Sequence, residues 1–364
     1  LFNKVFCSVC YPAFEGALLL IENLEKLSNV CGVAGREDKV RNLMIELIKP
    51  WTDSLSVDKL GNIIALKKGR SATLKVMMAA HMDEVGLMVK NITKEGFLQF
   101  TKIGGIDDRI LLAQEVVVYT PNGSLKGIVG SKPPHIQKEE DRKKIVPYDE
   151  LFIDIGADSC DEAKAMGVSV GDPVGFDVKF DRIGGGKVMG KAFDDRIGCA
   201  VIIEVLKQLN DVDCAVYAVG TVQEEVGLRG AGTAAFGINP DLGIALDVTV
   251  AGDVPGVREV ESNVKMGKGP ALTVADYGLI THPKMLRLLR QAAEENSVPY
   301  QLETGLAGST DAARISLTRQ GVPCGTISIP SRYIHSPASV VSLRDAEDAV
   351  KLTVAAIKKV GEYF

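Results

Sequence analysis

Three short apolar runs constrain the fold most: Leu74–Ala80, Cys214–Gly220 and Leu242–Leu246. None alternates cleanly between apolar and polar residues. A strand of that kind is buried on both faces, which requires a mostly parallel sheet covered by helices on both sides. The helices are legible between the runs. Arg36–Ile48 carries Val40, Leu43, Met44 and Leu47 on one face. Helices are also predicted near Arg196–Leu209, His282–Asn296 and Leu343–Val360. The last places Leu343, Ala346, Val350, Val354 and Ile357 on one face, with its acids early and its lysines late, as the helix dipole prefers.

The rhythm changes between about Val85 and Asp181. Val174, Phe176, Val178 and Phe180 alternate with Gly175, Asp177, Lys179 and Asp181, which predicts a half-buried strand. Phe97–Phe100, Glu115–Tyr119 and Leu151–Ile155 read alike, and Pro133-Pro134 with Lys138–Lys144 reads as an exposed loop. The expected architecture is α/β, with a mostly parallel sheet covered by helices on both faces, formed by residues 21–84 and 182–364. A small β-barrel-like domain, residues 85–181, is inserted into it, and residues 1–20 form an N-terminal extension. A chain of 364 residues suits two domains.

Composition excludes several function classes. Hydrophobic residues at 46% and charged residues at 24% are ordinary globular usage. A net charge of −5 gives no electrostatic case for nucleic acid or an anionic membrane. No apolar run, Ala17–Ile21 and Cys214–Val219 included, is long enough to span a bilayer. Seven scattered cysteines make no disulfide framework and point to a reducing cytoplasm. Cys7-Ser-Val-Cys10 lacks a second pair or a nearby His and reads as chance. Gly167-Val-Ser169-Val-Gly171 matches a nucleophile elbow in letters only, because Asp172-Pro173 and a strand follow where a helix should. Gly184-Gly-Gly186 lacks the rest of a phosphate loop and reads as a flexible junction.

The informative residues stand at the ends of the apolar strands, where open α/β sheets bind ligands. They are His81-Met-Asp83, Asp194-Asp195, Glu224-Glu225, Asp247 and His335. Two of the four histidines fall in this set. Any one of them alone reads as a helix cap or a surface group. Five such clusters converging on one sheet edge would repel one another unless cations neutralise them. Asp194, Glu225 and Asp247 with a bridging hydroxide carry −4, which two divalent ions balance. An oxygen and imidazole donor set without thiolate suits zinc, cobalt or manganese. A two-metal site polarises a carbonyl and generates hydroxide at neutral pH.

At these residues the chain resembles the co-catalytic metallo-aminopeptidases that form tetrahedral particles, some of them labelled glutamyl aminopeptidase, endoglucanase or cellulase M. The matching stretches are His81-Met-Asp83-Glu-Val-Gly-Leu, Ala192-Phe-Asp194-Asp195-Arg-Ile, Thr221-Val-Gln-Glu224-Glu225-Val-Gly-Leu-Arg-Gly, Asp247-Val-Thr and Arg332-Tyr-Ile-His335-Ser. The resemblance runs from about residue 22 to the end and implies that residues 21–84 and 182–364 form a zinc-exopeptidase-like catalytic domain. It implies that His81, Asp194, Glu225, Asp247 and His335 bind the metals. Asp194 would bridge them, with Glu225 and His335 on one metal and Asp247 on the other. It implies Glu224 as general base acting on a metal-bridging hydroxide, and Asp83 as the group that orients His81. It implies a cis peptide between Asp194 and Asp195. The family's Gly-Gly-Thr-Asp loop stands here as Gly308-Ser309-Thr310-Asp311, with a serine for one glycine, so Gly308, Thr310 and Asp311 are the expected substrate-binding residues. Peptide substrates, and dimers paired through the insert that close into a twelve-subunit shell, are implied as well. Metal spacing alone also permits a metallo-deacylase. A glycosidase would need only two carboxylates and leaves His81 and His335 without a role. A non-catalytic metal-holding assembly protein would have no use for Glu224.

Overall fold

The computed structural model describes residues 15–71, 73–305 and 308–364, with side chains from residue 19 onward. Cys7, Cys10 and most of the expected extension lie outside the described residues. The helix Glu15–Asn29 crosses the expected boundary at residue 20, because Leu20, Leu24 and Leu27 pack into the main core.

Four parallel strands make the centre of an eleven-stranded sheet, in the order Ala215–Thr221, Lys75–His81, Leu242–Val250 and Cys324–Arg332. Parallel pairing is concentrated there. On one side Ile63–Lys67 and Ser54–Val57 add antiparallel, and on the other Ser339–Ser342, Lys187–Gly190 and Asp181–Ile183 do the same. Ala271–Ala275 and Gln301–Thr304 form a parallel pair branching from Cys324–Arg332.

The central strands are buried on both faces, and alternate residues feed different cores. Val76, Met78 and Ala80 pack with the helices Phe193–Gln208, Pro283–Glu295 and Leu343–Lys359. Met77 and Ala79 meet Ala231, Ala234 and Ile315 on the helices Arg229–Ile238 and Asp311–Ser316.

Between His81 and the return of the chain to the sheet, six strands close into a barrel. Their order is Gly86–Ile92, Leu98–Ile103, Phe152–Asp154, Gly123–Gly130, Glu115–Thr120 and Pro173–Phe176. Leu87, Val89, Phe100, Val116, Val118, Ile153 and Val174 fill it as a separate core. Closure removes the exposed edges that an open insert would have.

Several local expectations are corrected. The strand predicted from Val174 to Phe180 stops at Phe176. Pro173–Phe176 is buried at every position because strands flank it on both edges, and Gly175 lets Tyr119 and Cys31 cover it. Asp177 then leaves the sheet and pairs with Lys126 and Lys179, each at 2.9 Å. Gly184-Gly-Gly186 is a hairpin turn between Asp181–Ile183 and Lys187–Gly190, with Gly185 and Gly186 at φ 72° and 70°. The strand predicted to end at Leu246 runs on to Val250, so Asp247 lies inside it. Ser169 sits in a barrel loop, its N–H donating to Asp172 at 2.8 Å. No helix among the described residues is long and apolar enough to cross a membrane.

Candidate active site

Register alone brings the first residues together. Thr221 stands opposite His81, and Asp247 opposite Ser328. Ala245 stands opposite Ala79, which puts Asp247 level with His81 two residues further on. Ala215–Thr221 and Lys75–His81 end at that row, while the adjacent pair Leu242–Val250 and Cys324–Arg332 continues beyond it. The step leaves a ledge on which Asp247 is presented from mid-strand.

Asp194 reaches the ledge from the start of the helix Phe193–Gln208, where Ala192 is left-handed at φ 56° and the Asp194–Asp195 peptide is cis. Its carboxylate lies between two imidazoles. Oδ1 is 2.9 Å from His81 Nε2, and Oδ2 is 3.3 Å from His335 Nε2. His335 Nε2 is also 3.2 Å from Glu225 Oε2. His81 Nε2 further faces Glu224 at 3.8 Å and Asp247 at 4.0 Å. Two groups of donor atoms are therefore close enough to share a cation: His81 with Asp194 and Glu225, and His81 with Glu224 and Asp247.

Both imidazoles are oriented from behind. His335 Nδ1 donates to the Gly105 carbonyl of the barrel at 3.0 Å. His81 Nδ1 donates to the main-chain carbonyl of Asp83 at 3.1 Å, whereas the Asp83 carboxylate lies at 3.7 Å, beyond hydrogen-bond range. The group behind His81 is thus the main-chain oxygen of Asp83 and not its carboxylate. The Asp83 carboxylate is engaged elsewhere, accepting the backbone N–H groups of Glu224 at 2.9 Å and Glu225 at 3.0 Å. The buried Asp195 carboxylate accepts the N–H of His81 at 3.1 Å and of Gly198 at 2.9 Å.

The electrostatics fit a cation site. Burial pushes Glu224 and Asp247 well above the ordinary carboxyl range; His81 opposes this, and each is raised further by neighbouring carboxylates. Glu225 is raised by burial and by Asp194. Asp194 is held low in spite of burial, because both histidines hydrogen-bond it. Burial opposes the charge on His335, yet Asp194 and Glu225 lift it to about 11. Glu225 Oε1 is buried, and among the described residues it has no hydrogen-bond partner. An acid cluster this crowded, with an orphaned carboxylate oxygen and only imidazoles to balance it, suits hard or borderline divalent cations bound by oxygen and nitrogen.

The ledge opens into a cavity of about 520 Å³. Gly308 and Thr310 line it, together with His81, Asp194, Glu224, Glu225, Asp247 and His335. Asp83 and Asp311 do not. Asp311 is buried behind the site, where it accepts the Thr221 hydroxyl at 2.5 Å and is pushed up to about 6 by burial. The serine at 309 is accommodated without strain, since the left-handed residue of that loop is Gly308, at φ 100°. Sequence reasoning passed over Thr249, Thr273, Asp276 and Glu303, which also line the cavity. Only Thr249 carried a signal, as the second residue beyond Asp247 on the same strand face.

A parallel-centred sheet with an inserted barrel thus carries two histidines and a carboxylate cluster on its ledge. Residues 61–352 match the family described as M42 glutamyl aminopeptidase. The chain belongs to that family and is an aminopeptidase, hydrolysing peptide bonds. It is similar to the aminopeptidase APDkam598 of the archaeon Desulfurococcus kamchatkensis, with 46% identity, a TM-score of 0.91, and 95% of this chain and 96% of that one covered. Against the lysyl aminopeptidase of Pyrococcus furiosus it is 37% identical over 93% of this chain and 96% of the relative. A Pyrococcus horikoshii TET1 peptidase, described as assembling into a tetrahedron or a large octahedral shell, gives a TM-score of 0.84 at 36% identity, covering 92% of this chain and 98% of that one.

Proposed function

We propose that the chain removes N-terminal residues from peptides with two divalent cations held on the ledge, zinc, cobalt or manganese by donor type. His81 and Asp247 would hold one and Glu225 and His335 the other, with Asp194 between them. When bound, such a pair of ions supplies Lewis acidity at the scissile carbonyl and lowers the pKa of water. Glu224 accepts the proton of the attacking water and returns it to the departing amine. Its burial holds it above the ordinary carboxylate range, nearer the pH at which a group must both take and give a proton. Asp83 fixes the turn from which Glu224 and Glu225 diverge, Glu224 facing His81 and Glu225 facing His335, so the two glutamates serve different ends. The observation that carries this reading is the Asp194 carboxylate set between His81 and His335, with Glu225 Oε1 beside it and without a hydrogen-bond partner among the described residues.

The test is a panel of aminoacyl chromogenic amides and their N-acetylated counterparts, assayed after chelation and after return of each cation. Activity confined to free amino termini and to cation-loaded protein is expected. Turnover that survives verified removal of metal would overturn the reading. For assembly, we infer a homo-oligomer in which barrels pair subunits into dimers and six dimers close a shell, as the tetrahedral assembly described for the Pyrococcus horikoshii relative suggests.

A further inference from the structure

The cavity continues beyond the ledge along a wall that the catalytic residues do not use. Glu303 and Asp276 stand on that wall, both half-buried. Glu303 lies opposite Thr273 in the branching strand pair and accepts the hydroxyl of Thr249. Thr249 and Asp247 are two residues apart on one strand, so they share a face and are displaced by about 7 Å along it. That distance is of the order of the reach of a four-methylene side chain. Asp276 Oδ1 accepts the N–H groups of Gly278 at 2.7 Å and Leu279 at 2.6 Å, which fixes the carboxylate against the loop. Val248, Leu228 and Ile334 supply apolar surface in the same cavity, against which a long aliphatic stem can lie. Among the described residues that line it there is no lysine or arginine.

We propose that this wall receives the side chain of the substrate's N-terminal residue, and that Glu303 and Asp276 make it selective for lysine or arginine. The inference rests on the aminopeptidase reading above and adds the substrate to it. Burial raises Glu303, the Thr249 and Thr273 hydroxyls oppose this, and the charge of Asp276 raises it again. A cation placed against the pair relieves both its desolvation and its mutual repulsion, whereas an acidic side chain would add a third negative charge with nothing to meet it. An acidic preference, the activity in the family's description, is therefore the one this wall disfavours.

The experiment compares kcat/KM for lysyl, arginyl, leucyl and glutamyl chromogenic amides on the cation-loaded protein, and repeats it on Glu303→Gln and Asp276→Asn. The basic substrates are expected to lead leucyl by about tenfold or more and glutamyl by more still. In Glu303→Gln the lysyl-to-leucyl ratio should fall about tenfold, chiefly through KM. Raised salt should erode the same ratio in the unmutated protein. Calorimetric titration of the unmutated, cation-loaded protein with free L-lysine, L-leucine and L-glutamate reads the wall without turnover. Lysine binding tightest supports the proposal even if no amide is cleaved, a result that would sink the catalytic reading alone. A glutamyl or leucyl preference, or a ratio unmoved in a folded Glu303→Gln, overturns the selectivity.

Discussion

Asp83 Oδ1 accepts the backbone N–H of Glu224 at 2.9 Å, and its other oxygen takes the N–H of Glu225 at 3.0 Å. One wholly buried carboxylate thus sets the position of both glutamates, for which different duties are proposed. An amide in its place offers a single acceptor oxygen and leaves an N–H facing an N–H. Asp83→Asn should lower both cation affinity and kcat by about 10- to 100-fold. Cation titration together with steady-state kinetics checks it; unchanged values for both would remove Asp83 from this role.

The paired glutamates should separate cleanly. Glu224→Gln is expected to reduce kcat by at least about 10²-fold with both cations retained. Glu225→Gln should instead lose occupancy, since Glu225 faces His335 and has an oxygen to spare. Elemental analysis beside activity distinguishes the two, and the reverse pattern would exchange the assignments.

Cation removal should lower thermal stability, because binding to the folded state alone contributes about 2.7 kcal/mol at a hundredfold excess over Kd. In chelator a pH dependence should also emerge. Asp311 is raised from 3.8 to about 6 on folding, so the folded state holds its proton more tightly. Its contribution is present below the unfolded pKa and is lost as pH rises from about 4 to about 6, a change of about 3 kcal/mol at ~1.4 kcal/mol per unit. Asp311→Asn should flatten that part of the melting-temperature profile; an equal slope in both proteins would exclude Asp311 as its source.

Glu84 is buried against two cations, with Lys191 Nζ at 2.7 Å and an Arg196 guanidinium nitrogen at 3.1 Å, and it also accepts the N–H of Gly32 at 2.7 Å. Lys191 and Arg196 hold its carboxyl low in spite of burial. Glu84→Ala strands both positive charges in the core and should cost about 3–5 kcal/mol, measured by urea unfolding. A loss under about 1 kcal/mol would show that water reaches the cluster.

Assembly is checked by light scattering at micromolar concentration. A particle of many subunits is expected, and a fully active monomer would defeat the inference.

The sheet and most of the site were legible because unbroken apolar runs and the acids that follow them are both dictated by burial. Asp247 was found for a reason that proved incomplete, since its strand continues and it is the neighbouring Lys75–His81 that stops. The helix Arg229–Ile238 escaped notice because its Gly- and Ala-rich sequence shows no strong apolar stripe, although small residues suit its close packing on Ala79 and Val219. Asp83 could be named but not its acceptor atoms, which depend on where a loop 140 residues away comes to rest. Glu303 and Asp276 were invisible for a related reason. An acid on a four-residue strand or in a turn looks like any solvated surface group until the fold puts a cavity in front of it.

The Gly105 carbonyl that receives His335 Nδ1 belongs to the inserted segment that forms the barrel, while His335 lies in the turn joining two strands of the sheet, Cys324–Arg332 and Ser339–Ser342. A Cβ at position 105 would stand 3.1 Å from that same nitrogen, so the approach is as close as a bare backbone permits. The barrel is therefore not interchangeable cargo. A chimera that exchanged it for the barrel of a relative would have to reproduce one peptide oxygen to within a few tenths of an ångström, or inherit a histidine free to swivel. Any mechanical load on the barrel, including one imposed by neighbouring subunits, would be felt at an imidazole on the far side of the domain boundary.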